Sequence, residues 1–333
     1  MAVDGADTTP ESLAEGLRAY LEACHAANPD THSVDPGHRI PLKWPPHAVS
    51  HDFHVLPHDW TETITRDYLG EEFEIKVAQL PVGVFGRIEK IYAEAYGQDF
   101  AEMLRNLQLT IGPYLKREAQ IAVTLGIDTR FEGKMRELPR LDLLKLLFCP
   151  DRDVAREAQI EIETHARGGL FTLGLIVALS NDNHPYRRVA QWCVLDMFED
   201  LPTLVRDRAE EASAIEAIKN LIWTATDDYA RTVYKAGVVL GGHICTEPAA
   251  DALIACLCAP SKIGRRSAMH AVFHLVEWLP SRRGEVVTKL RNAAQNDPEE
   301  VLRGFASHMA IDIDRASHDH VTEPTFTEEL TRA

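Results

Sequence analysis

From about residue 138 to residue 315 one short pattern returns five times, and it constrains the fold more than any other feature of the chain. Each occurrence has an apolar residue, an arginine two positions later, and a small or apolar residue four positions after the first. The set is Val154-Arg156-Ala158, Tyr186-Arg188-Ala190, Tyr229-Arg231-Val233, Ile263-Arg265-Ser267 and Val301-Arg303-Phe305. Successive anchors are 32, 43, 34 and 38 residues apart, periods that belong to arrays of helix pairs. A turn rich in Asp, Asn or Pro precedes each anchor: CPDRD, NDNHP, TDD, APSK and NDPEE. Such turns end one helix and cap the next. First helices are predicted over about 139–148, 169–180, 209–225, 248–259 and 284–295, and each anchor opens a second helix. Each second helix carries one apolar stripe, which neighbouring helices must cover.

The turn residue followed by an apolar residue and Arg resembles the HEAT-repeat (armadillo-like) family over roughly residues 138–315. The resemblance implies an all-α solenoid. It also implies that Arg156, Arg188, Arg231, Arg265 and Arg303 form a column that bonds polar groups in adjacent repeats. The long second interval and the drifting fifth unit depart from a regular array. No subfamily is indicated, and a fold of this kind hosts many functions.

Upstream the chain reads differently. Residues 9–27 form an amphipathic pattern with Thr8 or Thr9 as cap and Pro10 in the first turn. Prolines at 29, 36, 41, 45, 46 and 57 then exclude a regular helix to about Trp60. Phe73 to Leu80 fits a strand or a helix equally. Val82 to Tyr96, Phe100 to Ile111 and Pro113 to Leu125 carry helical spacing. The expected organisation is therefore an N-terminal helix plus a His/Pro-rich irregular extension over 1–80, a helical-repeat domain over 81–315, and a tail over 316–333.

The net charge of −16 repels phosphate backbones and disfavours nucleic acid as a partner. The first residues lack the basic start and apolar core of a signal peptide. The longest apolar run, Phe171 to Leu179, is too short to span a bilayer, so no membrane association is expected. Six scattered cysteines read as reduced thiols. A soluble, cytoplasmic protein is the expectation.

Phosphate-loop, dinucleotide-binding, HExxH and GxSxG signatures are absent from the sequence. The His-Glu dipeptides of HEAT-like di-iron hydroxylases are absent too, which disfavours that chemistry. Three sets of residues remain as candidates. His47, His51, His54 and His58 are spaced for a divalent metal, with His32 and His38 upstream and Asp52 and Asp59 beside them, although Pro57 opposes the helix that the spacing needs. His270 and His274 occupy the same two repeat columns as His308 and Asp312 one unit later, each pair four apart on one helical face. Convergence of these four would make a ligand site, against the plainer reading of solvated histidines. Trp278 stands with Trp192, Trp223, Phe198 and Phe273 in an aromatic set that reads chiefly as core, with ligand anchoring as the alternative. No motif requires a cofactor.

A binding scaffold that presents a concave helical surface to a protein or peptide is the leading functional expectation. The alternative is an enzyme or small-molecule-binding protein with a pocket between the N-terminal segment and that surface. A closed pocket would separate the two readings.

Overall fold

A computed structural model describes residues 8–29, 60–68, 70–91, 93–128, 131, 133–165, 169–226 and 229–315. Tertiary contacts divide the chain into two compact units, one of Met1–Pro36 with Gly133–Ala333 and one of Gly37–Glu132.

The smaller unit corrects the all-helical expectation. It holds a four-stranded antiparallel meander in the order β1 (Glu62–Tyr68), β2 (Glu71–Leu80), β3 (Gly83–Ile88) and β4 (Ala93–Gly97). The stretch from Val82 to Tyr96, which carries helical spacing, contains β3, the 3-10 turn Glu89–Ile91 and most of β4. The undecided stretch Phe73 to Leu80 lies within β2. Phe73, Ile75 and Val77 alternate into a core with Val84, Ile88, Met103, Leu107 and Ile111, as a half-covered strand requires. The last three belong to α2 (Phe100–Leu125), one continuous helix capped by Asp99 that carries Pro113 within it. α2 packs on β3 and β4. Gly86 and Gly97 permit that approach: a Cβ on Gly86 would stand 2.2 Å from Met103 Sδ, and one on Gly97 2.2 Å from the Met103 backbone nitrogen.

The larger unit is helical throughout its described residues. α1 (Pro10–Ala27) begins at a Thr9 capping box closed by Ser12, with Pro10 in its first turn. Five pairs follow. α3 (Arg140–Leu146) precedes α4 (Arg152–His165), and α5 (Thr172–Leu179) precedes α6 (Arg187–Met197). After the short α7 (Leu201–Leu204) come α8 (Arg208–Trp223) with α9 (Ala230–Val238), α10 (Glu247–Cys256) with α11 (Lys262–Trp278), and α12 (Arg283–Asn296) with α13 (Glu300–Arg315). The 3-10 turn Phe198–Asp200 and α7 account for the long 43-residue interval between the second and third anchors.

Within each pair the two helices touch. The second helices also pack in series, α4 on α6, α6 on α9, α9 on α11 and α11 on α13, while α3, α5, α8 and α10 pack in their own series. α1 lies against α3 and α5. The apolar stripe of every second helix is thereby buried: Val154 and Ile162, Ala190 and Val194, Val233 and Ala236, Ala268 and Val272, Ala306 and Ile313. The cysteines are unbridged, and Cys149, Cys193 and Cys256 are buried, which pushes the Cys193 and Cys256 thiols up to about 12.

α9 and α11 pack closely. α9 runs on into a π-helical turn, Val239–Ile244, which ends at Cys245 with φ of 50°. Ser267 donates to the Val233 carbonyl at 2.8 Å across the interface. A Cβ on Gly237 would stand 2.4 Å from Ser267 Oγ, and one on Gly241 2.3 Å from the Ala271 carbonyl oxygen. Gly241→Ala is therefore expected to force the two helices apart and cost about 1–3 kcal/mol. Urea unfolding measures it, and an unchanged midpoint would contradict the packing described.

Candidate functional site

The arginines two residues after each anchor lie in the first turns of the second helices. Arg265 is the most committed. Its Nε and Nη2 donate to the two carboxylate oxygens of Asp297 at 2.7 and 3.1 Å, and its Nη1 to the carbonyls of Ala259 and Pro260 at 2.9 Å. Both partners are buried, and Asp297 lies in the turn before α13, so this bond links consecutive pairs. Arg156 on α4 reaches Asp196 on α6 at 3.3 Å. Arg188 donates to Gln191 on its own helix at 2.7 Å and lies 3.3 Å from the centre of the Tyr229 ring, at the start of α9 in the next pair. Arg303 turns back to the Asp297 carbonyl at 2.7 Å. Arg231 is exposed. The column thus joins adjacent pairs at Arg156, Arg188 and Arg265, and not through one repeated contact.

Around the middle second helices polar groups concentrate. Asp196 on α6 accepts from Arg156 and from Lys235 of α9, and Lys235 also donates to Glu199 at 2.8 Å. Burial alone would lower the Lys235 ammonium; the two carboxylates outweigh it and hold it above its usual value. The Lys235 ammonium also lies 5.1 Å from the centre of the Trp192 ring. Phe198 and Phe273 are buried and belong to the core, as the plainer reading of the aromatic set has it. Trp278 differs: at the end of α11 it is 65% exposed.

Beside Lys235, Tyr234 of α9 meets a histidine cluster on α11. Tyr234 Oη lies 2.5 Å from His270 Nε2, and His274 Nε2 lies 3.3 Å from the same nitrogen. Their rings are tilted on one another, with centroids 4.6 Å apart for Tyr234–His270 and 5.1 Å for His270–His274. His270 is buried and His274 half-buried. Burial first, then the His274 ring and the Arg266 guanidinium, push the His270 imidazole down to about 3, so it is neutral at physiological pH.

His308 and Asp312 pair on α13 with Nδ1 and Oδ2 3.0 Å apart, and the His308 side chain is 76% exposed. The structure therefore brings each sequence-matched pair together within its helix. His270 turns its nitrogen to Tyr234 on the preceding pair. Among the described residues no three His, Cys, Asp or Glu side chains are grouped to hold a metal ion. His47, His51, His54 and His58 lie outside the described residues, as do His32 and His38. Tyr234 was not a sequence candidate, because it sits two columns away from the histidines; only the packing of α9 on α11 shows its role.

A groove of about 560 Å³ runs along α1, lined by Glu11, Ala14, Glu15, Arg18, Ala19 and Glu22 with Leu173 beneath. Its character is acidic with an apolar floor. No described helix is long and apolar enough to cross a membrane. No protein-family model matches this chain, and neither a curated protein nor a solved structure does.

Proposed function

We propose that this chain is a binding scaffold, a HEAT-like solenoid whose helical surface receives a protein or peptide partner in the cytoplasm. The observation that carries this reading is the two parallel series of helix contacts, α3–α5–α8–α10 and α4–α6–α9–α11–α13. A stack in which each pair touches mainly its neighbours leaves a long face of each layer for another molecule. Three arginine contacts that cross from pair to pair favour a rigid stack, which reduces the entropy lost on binding. Trp278 supplies an exposed aromatic of the type that dominates interface energetics. The net charge of −16 favours a basic partner and disfavours nucleic acid. The acidic groove along α1 has the same preference.

The test is the affinity of a partner captured from the source cells, compared between the native chain and Trp278→Ala. The scaffold reading predicts weakening of tenfold or more, corresponding to loss of an anchor worth about 2 kcal/mol. Equal affinity would remove Trp278 from the interface. The enzyme or small-molecule reading rests on a different feature, the Tyr234–His270–His274 cluster. It predicts a retained small molecule and no polypeptide.

A further inference from the structure

The histidine cluster between α9 and α11 has a geometry that mutual hydrogen bonding alone does not require. Two imidazole nitrogens bound to one tetrahedral ion at bond lengths of 2.0–2.1 Å stand about 3.3 Å apart. His270 Nε2 and His274 Nε2 are 3.3 Å apart, both by the same ring nitrogen and from adjacent turns of one helix. Tyr234 brings a third donor atom to the same place from the neighbouring helix, 2.5 Å from His270 Nε2. We propose that His270, His274 and Tyr234 form a site for a divalent first-row transition metal ion, with the two Nε2 atoms as primary ligands and the Tyr234 oxygen as the third.

The surroundings fit this use. Imidazole suits zinc, copper and nickel, and a ligating histidine must be neutral. Burial keeps His270 neutral, while half-buried His274 gives the ion a path from solvent. Gly242 in the π-helical turn lies against His274, where even an added Cβ would come within 3.7 Å of the His274 Cβ. That contact places the π-helical turn beside the site, and π-turns recur at functional positions. The one movement needed is of Tyr234. At hydrogen-bond length its oxygen is about 0.8 Å too near His270 for both to ligate one ion, so the ring must swing outward by that amount. Arg266, whose charge contributes to lowering the His270 imidazole, has its guanidinium 3.4 Å from the centre of the Phe305 ring on α13. Water or a carboxylate from a bound molecule would complete the coordination. This inference is independent of the scaffold reading.

Titration of the metal-free full-length protein with zinc chloride, and with cobalt chloride followed by its visible absorption, tests the site. One ion per chain is expected, with the intense visible bands of tetrahedral cobalt. His274→Ala, at a half-buried position, should weaken binding at least tenfold and abolish those bands. Tyr234→Phe should keep the fold and weaken binding by about tenfold. A combined His47→Ala, His51→Ala, His54→Ala, His58→Ala variant should bind the ion as the native chain does. The proposal fails if the native protein binds no stoichiometric ion, if His274→Ala binds as the native chain does, or if that four-histidine variant alone loses binding.

Discussion

Arg265→Ala is expected to cost about 3–5 kcal/mol of folding stability. The substitution removes four hydrogen bonds at once and leaves the Asp297 carboxylate, whose side chain is 2% exposed, buried without its counter-ion. That penalty is mostly the desolvated charge left behind. Arg265→Met with Asp297→Leu should therefore recover a large part of it, because two apolar groups need no partner. Guanidinium unfolding of the three proteins measures the difference. A single variant within 1 kcal/mol of native, a threshold set by the roughly 0–1 kcal/mol typical of exposed pairs, would mean that the pair is solvated and links nothing.

Acid is the second lever. His270 stays neutral in the fold down to about pH 3 and His184 down to about pH 4. For His184 the cause is burial, then the neighbouring Arg187. In the unfolded chain both take a proton near pH 6.5. The folded values are the lower ones, so the unfolded state binds the extra protons in between. The stabilisation is complete above about pH 6.5 and is lost as pH falls toward 4 and then 3. At pH 5 each histidine should already have cost about 2 kcal/mol, before most carboxylates protonate. Thermal unfolding at pH 7 and pH 5 should show a marked fall in Tm, smaller in His270→Gln. A Tm that is flat across this interval would contradict the burial of both rings.

These two effects depend on residues with different visibility in the sequence. Arg265 could be read there, because its turn, anchor and period recur along the chain and helical spacing fixed its place. Its partner Asp297 sits in the next turn, so the link follows from stacking. The sheet was not legible in the same way. Val84, Ile88 and Ile91 satisfy helical spacing, and the same residues satisfy a strand and the 3-10 turn that follows it. Gly83 and Gly86 were the discriminating signal: each weakens a helix by about 1 kcal/mol, and here one shapes a hairpin turn and the other admits Met103. The packing of α1 was not legible for a related reason. α1 is distant in sequence from α3 and α5, and no local pattern records that it packs on them.

The histidine columns illustrate the limit of register arguments. Equal offsets from the anchors placed His270 and His308 on corresponding turns. Rotation of a helix about its axis decides which neighbour a side chain meets, and His270 meets Tyr234 on α9. Offsets cannot supply that rotation; the crossing of Gly237 and Gly241 over Ser267 and Ala271 does.

Native mass spectrometry of the full-length protein, purified gently from its source cells, tests the scaffold reading most directly. The account predicts a second polypeptide in fixed ratio to the chain, lost in Trp278→Ala while the fold and any bound metal ion persist. A small organic molecule retained in stoichiometric amount, with no polypeptide, would contradict it.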